Sequence, residues 1–231
     1  MLPLRDLNPT TLAPRVTIAI IVLNVVAFVY EVSLGSELRT LLFDWGLVPA
    51  RFTLALQAHN EPLGQVALTA FSSIFLHGGW LHLIGNMWFL WIFGDNIEDR
   101  FGHFRYALFY LASGLVGSAL HVAFNGESQL PTVGASGAIA GVLGAYAAAF
   151  PRARVITLVP LFPFFQVLSL PALVMLGMWF VYQFLSGFLM AAWSPGAGGV
   201  AWWAHIGGFV FGYLVMRIGR ARRTYSAAGR D

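Results

Sequence analysis

Cysteine is absent from this 231-residue chain and so is lysine, all thirteen basic residues being arginine. The first absence excludes a disulfide framework, a thiolate nucleophile and any cysteine-built zinc site. Charge of either sign is scarce, at 10% of residues against 58% hydrophobic, well under the roughly 25% charged residues of an ordinary soluble domain. Water is therefore not the main solvent for the chain, and no soluble domain can be marked off. The ten acidic residues, Asp6, Glu31, Glu37, Asp44, Glu61, Asp95, Glu98, Asp99, Glu127 and Asp231, fall in tails, loops or at the ends of apolar runs. That leaves no pair of intramembrane aspartates for aspartyl chemistry and no carboxylate to complete a hydrolytic zinc centre. His77 and His82 also miss the His-Glu-x-x-His spacing, so neither a metal nor another cofactor is expected. No repeat of fixed period and no matching pair of interrupted spans is visible, which counts against a secondary transporter.

What the chain does contain is apolar runs long enough to cross a hydrocarbon core, which takes about 20 residues. Six can be read, at 16–32, 80–93, 104–124, 136–150, 171–192 and 201–218, the second and fourth being short. The first follows Arg5 and Arg15 and lacks a small-residue cleavage site, so it is expected to remain as an anchor. Arginine is asymmetric about the runs: Arg5, Arg15, Arg100, Arg105, Arg152, Arg154 and the five from Arg217 to Arg230 fall on one side, only Arg39 and Arg51 on the other. The positive-inside bias then puts both termini in the cytoplasm, which an even number of spans satisfies. The expected organisation is a cytoplasmic segment 1–15, a six-span membrane domain 16–218 and a basic cytoplasmic tail 219–231, multi-pass in a bacterial inner membrane. The tail reads as a topology determinant touching anionic lipid, with no nucleic-acid partner.

Two connections are unusually apolar. The first, 33–68, lies on the outer side and either rests in the membrane interface or packs on the bundle. The second, 155–170, carries Pro160 and Pro163 and cannot be one uninterrupted helix, so it re-enters or lies flat.

Four segments place small or hydrogen-bonding residues at membrane depth, where an unpartnered polar group is costly. Gly134-Ala135-Ser136-Gly137 opens the fourth run, so Ser136 sits near a helix N-terminus whose free N–H groups could face an oxyanion. Gly137 and Gly141 follow at helical spacing, and an N-cap serine on a small-residue packing helix is the structural alternative. In the last run His205 stands one position off the row Ala204, Gly208, Gly212; it is a candidate general base or an interhelical hydrogen-bonding group. His82 and Asn86, four residues apart, share one helix face and could donate to an oxyanion or act as interhelical polar contacts. The polar stretch 94–100 reads as helix termination with local ion pairing.

The ordered set Phe75-Leu76-His77, His82-x-x-x-Asn86, Gly94-x-x-x-Glu98-x-x-x-Gly102, Gly134-Ala135-Ser136-Gly137 and Ala204-His205-x-x-Gly208-x-x-x-Gly212 resembles the rhomboid family across 69–212. The resemblance implies an all-α membrane protein, a six-transmembrane-helix rhomboid bundle with a long interfacial first outer loop. It also implies a serine endopeptidase that cleaves within the membrane, with Ser136 as nucleophile, His205 as base and His82 with Asn86 stabilising the oxyanion. Substrates would be single-span membrane proteins with helix-weakening residues near the cut. Two departures stand out: Ala140 occupies a position that is aromatic in many active members, where the ring packs on the histidine, and the Trp-Arg pair of the first outer loop is missing. A non-catalytic scaffold of the same fold, binding transmembrane helices without cutting them, is the alternative.

The acidic inventory predicts a Ser–His dyad with no carboxylate behind the histidine, the tautomer being set by packing or a neutral hydrogen bond. Were a carboxylate to serve, Glu127 on the loop leading to Ser136 is the best placed. The glycine-rich segment 193–200 and the fifth run beside it are candidates for a moving gate.

Overall fold

The computed structural model describes residues 1–58, 62–161, 163–193 and 200–228. Glu61, Asp231 and nearly all of the 193–200 segment singled out as a gate lie outside the described residues. The elements are β1 (Leu2–Asp6), α1 (Arg15–Ser33), α2 (Leu38–Trp45), α3 (Pro49–Ala58), α4 (Leu63–Ser72), α5 (Trp80–Phe101), α6 (His103–Asn125), α7 (Ser136–Ala149), β2 (Arg154–Leu161), β3 (Phe164–Pro171), α8 (Ala172–Trp193) and α9 (Trp202–Ala228). Each of the six apolar runs coincides with a helix. Among the described residues, α1 and α6 are both long and apolar enough to cross a membrane, while α4, α7 and the Ala172–Ser186 part of α8 are shorter apolar helices.

Helix α7 is the centre of the molecule. Every residue from 137 to 149 is buried, and the helix packs against α5, α6, α8 and α9. Its sequence explains this: alanine and glycine dominate, so neighbouring backbones can come close on all sides. Phe93 of α5 meets the Tyr146 ring edge-on at 5.0 Å, and Tyr106 and Tyr110 of α6 are fully buried.

The purely helical expectation needs correction. Residues 155–170, expected to re-enter or lie flat, form the β2–β3 hairpin, paired in register from Arg154↔Pro171 to Leu161↔Phe164. β1 adds to its other edge, antiparallel. Pro160 bars a helix, and the flanking β-branched run Val155-Ile156-Thr157 favours extended backbone. The first connection likewise folds into α2, α3 and α4 instead of remaining a loop.

The stretch 94–100 forms the last turns of a helix, and Glu98 pairs locally with His103 at 2.5 Å. Helix α5 continues through it to Phe101 and stops at Gly102, whose φ of +77° suits glycine. The carboxylates there are occupied by the N-terminal segment. Pro14 precedes α1 and offers no side-chain cap, leaving first-turn N–H groups without helical acceptors. Glu98 accepts from the N–H groups of Val16 and Thr17 at 2.8 Å each and from the Thr17 hydroxyl at 2.7 Å. Asp99 accepts from the Leu12 N–H at 2.8 Å, and Trp88 Nε1 donates to the Pro3 carbonyl at 2.7 Å.

Asp6, the last residue of β1, accepts from Tyr146 Oη at 2.7 Å and from Asn96 Nδ2 at 2.9 Å. Burial pushes its carboxyl up to about 6; the Tyr146 hydrogen bond opposes this and Asp95 adds to it. A folded-state value above the unfolded one means that the native state binds more protons between about pH 4 and 6. Stability from this group is therefore lost as pH rises through that window. Asp6→Asn should flatten the dependence of Tm on pH between 4 and 6 relative to wild type; an unchanged slope would show that Asp6 titrates normally.

Candidate functional site

Ser136 is the first residue of α7, with Ala135 at the N-cap position. Its hydroxyl is thus not engaged as a cap, and the segment before it is held from two sides. Leu47 and Thr132 exchange backbone hydrogen bonds at 3.1 and 2.7 Å, and the Gly134 N–H donates to the Ser73 carbonyl at 2.8 Å. The connection between α1 and α5 therefore braces the segment that delivers Ser136. Gly134 has φ +130°, and a Cβ there would sit 2.7 Å from the His82 ring and 3.6 Å from Asn86 Nδ2. Glycine is required by conformation and by space, and the same distances put His82 and Asn86 against the backbone just ahead of the serine.

His205 lies in the first turn of α9. Ser136 Oγ and His205 Nε2 are 2.7 Å apart, and His205 Nδ1 is 2.7 Å from Gln183 Oε1 on α8. His205 and Gln183 are both buried, at 7% and 6% exposure. The imidazole also lies 6.0 Å from the Trp179 ring and 6.2 Å, edge-on, from that of Trp202. Ala140 leaves no ring on α7 to pack on the histidine, and these two tryptophans supply aromatic walls from α8 and α9.

The approach of α7 to α9 depends on glycine. A Cβ on Gly208 would overlap the Gly137 carbonyl, and one on Gly212 the Gly141 carbonyl; one on Gly144 would overlap the Phe209 carbonyl. The helices touch backbone to backbone, which sets the separation at which Ser136 and His205 meet.

Of the residues named from sequence, Ser136 meets His205, Gly134 lies against His82 and Asn86, and Gly208 and Gly212 lie against Gly137 and Gly141 further along α7. Beside His82 and Asn86 is a second layer. Asn86 Nδ2 donates to His77 Nε2 at 3.0 Å, which uses one of its two N–H bonds. The His77 backbone N–H is shared between the two oxygens of Glu31 at 3.1 Å each, and Glu31 is fully buried. Sequence reasoning missed Gln183, Trp179 and this use of Glu31. It expected no carboxylate behind the histidine, with Glu127 the best placed if one served, and Nδ1 meets the neutral Gln183. The available signal for Gln183 was an amide on an uncharged, apolar helix, where a buried polar group needs a partner.

A family model described as the Rhomboid domain matches residues 65–222. The chain belongs to the rhomboid family. Rhomboids are membrane proteins, and the family includes intramembrane proteases as well as inactive members. This rhomboid is 30% identical to Rhomboid protein 1, mitochondrial, of Saccharomyces cerevisiae over 178 residues, 71% of this chain and 46% of that one. It is 30% identical to RHOMBOID-like protein 1 of Arabidopsis thaliana over 152 residues, 57% of this chain and 39% of that one. Rhomboid protease GluP of Bacillus subtilis is 46% identical over 72 residues, 31% of this chain and 14% of that one. The matched part of this rhomboid thus spans less than half the length of each of these relatives.

Proposed function

We propose that the protein is an intramembrane serine endopeptidase acting on single-span membrane proteins through Ser136 and His205. The observation that carries this reading is the 2.7 Å contact between Ser136 Oγ and His205 Nε2, within hydrogen-bond reach as nucleophile and base must be. In the proposed reaction Ser136 Oγ attacks the scissile carbonyl as His205 Nε2 takes its proton. The same nitrogen returns that proton to the leaving amine, and water then resolves the acyl-enzyme with His205 again as base. The first N–H groups of α7, His82 and the remaining N–H of Asn86 would receive the negative charge on the tetrahedral oxygen.

The proposed setting is a six-span bundle of α1, α5, α6, α7, α8 and α9. Its orientation, with both ends on the cytoplasmic side of a bacterial inner membrane, rests on the arginine distribution alone. Helix α7 has 14 residues and is about 21 Å long at 1.5 Å per residue, short of a hydrocarbon core of roughly 30 Å. A helix of that length starting from the inner surface would end below the outer one, putting Ser136 at membrane depth yet within reach of water from outside. A substrate helix hides its carbonyls in i to i−4 hydrogen bonds, so glycine, proline or polar residues near the cut would ease the unwinding that attack requires.

The test is incubation of the purified protein in detergent with a panel of labelled single-span substrates. Cleavage that disappears in Ser136→Ala supports the reading, and cleavage that survives it ends the reading. His82→Ala and Asn86→Ala should each lower kcat by about 10²–10³, the effect of deleting one oxyanion donor, while Ser136 still takes up a fluorophosphonate. Full kcat in both variants would remove the pair from the oxyanion site.

A further inference from the structure

We infer that Gln183 is the positioning residue for His205, fixing the imidazole in the tautomer whose Nε2 lone pair faces Ser136. The inference rests on the protease reading for its consequence and on geometry for its substance. An amide Oε1 can only accept a hydrogen bond. The atom facing it at 2.7 Å, His205 Nδ1, must therefore carry the proton. A neutral imidazole has one N–H, so Nε2 is left with its lone pair, 2.7 Å from Ser136 Oγ, in position to accept the hydroxyl proton. With the opposite tautomer, Nε2–H would point at Ser136 and Nδ1 would set a lone pair against the lone pairs of Oε1, both buried.

The surroundings leave Gln183 this task and few others. It lies one helical turn beyond Trp179, whose ring also flanks His205, so Trp179 and Gln183 share the face of α8 turned to α9. No residue from 155 to 216 carries a formal charge apart from a protonated histidine, so the amide is the polar group that this helix brings to the imidazole. Because its charge is zero, it orients His205 while leaving the imidazolium formed during proton transfer without the ion pair that an aspartate would supply. The hydrogen bond also crosses from α8 to α9. Displacement of α8 away from α9 would remove the acceptor and release the tautomer, so the conformation of α8 and the competence of the base are linked.

The test uses full-length protein with 15N-labelled histidine, His205 being assigned through its missing signals in His205→Ala. Gln183→Met keeps the length of the side chain and removes the amide acceptor; Gln183→Glu keeps an oxygen at the same place. In wild type and Gln183→Glu the ring nitrogen shifts should report Nδ1 protonated. In Gln183→Met they should report a mixture of tautomers, with kcat lower by about 10–100-fold, the scale of leaving one buried hydrogen-bonding group unpaired, and KM little changed. Rescue of kcat by Gln183→Glu separates positioning from packing. A His205 tautomer unaltered in a folded Gln183→Met overturns the inference whatever the activity. Absence of any Ser136-dependent cleavage or labelling in wild type overturns the protease reading instead, and the nitrogen shifts still decide what Gln183 does.

Discussion

Ser136→Ala and His205→Ala should each lower kcat on a transmembrane substrate by on the order of 10⁶, the size of losing one member of a serine–histidine pair that acts as a unit. For the same reason the double variant should be no slower than either single one, because the residual rate comes from substrate binding and oxyanion donors alone. The two variants differ in what they do to the fold. Ser136→Ala places a strong helix former at the first position of an alanine-rich helix and removes a half-buried hydroxyl, so thermal stability should hardly move. His205→Ala leaves the buried Gln183 amide without its partner, which costs about 1–3 kcal/mol, so Tm should fall measurably. A fluorophosphonate should label wild type and neither variant, since the hydroxyl needs the base to become a nucleophile. Retained cleavage and labelling in Ser136→Ala would mean that another residue is the nucleophile, and a wild type that neither cleaves nor takes up the label would leave the chain as a scaffold of the same fold.

The parts legible from sequence are those with a local signal. The six helices announce themselves as apolar runs, and Gly134, Ser136, His205, His82 and Asn86 stand out because polar or flexible residues are costly in such runs. Contacts between remote segments were not legible. The carboxylates of Glu98 and Asp99 read as a helix end because charge usually closes an apolar helix, yet they accept hydrogen bonds from residues more than 80 positions earlier. Glu31 looked like an interfacial charge at the end of a run but is buried on the His77 backbone. The β2–β3 hairpin escaped detection because an uninterrupted apolar stretch has no period to separate strand from buried helix. Packing or a neutral hydrogen bond was expected at His205, but the partner could not be named from sequence because Gln183 lies 22 residues away on another helix.

Gly208→Val and Gly212→Val should be the most damaging substitutions outside the Ser–His pair, and they should act through the fold. At both positions the first side-chain carbon would overlap a backbone carbonyl of α7, that of Gly137 or Gly141. Backbone cannot rotate aside as a flexible side chain can, so relief requires α7 and α9 to move apart. Overpacking of this kind costs about 1–3 kcal/mol and occasionally more, and with an interface made of consecutive backbone contacts the upper end is expected. At roughly 2–4 °C per kcal/mol for a chain of this size, Tm should fall by about 6–12 °C. The same displacement would stretch the contact between Ser136 and His205, so kcat should fall even at temperatures where the variants remain folded. Gly85→Ala and Gly177→Ala provide the control: nothing lies within 4 Å of a Cβ at either site, and alanine improves helix propensity by about 0.8–1.0 kcal/mol. Both should be neutral or slightly stabilising. If Gly212→Val melted with the controls and cleaved at the wild-type rate, the backbone contact between α7 and α9 would not be what holds the nucleophile against its base.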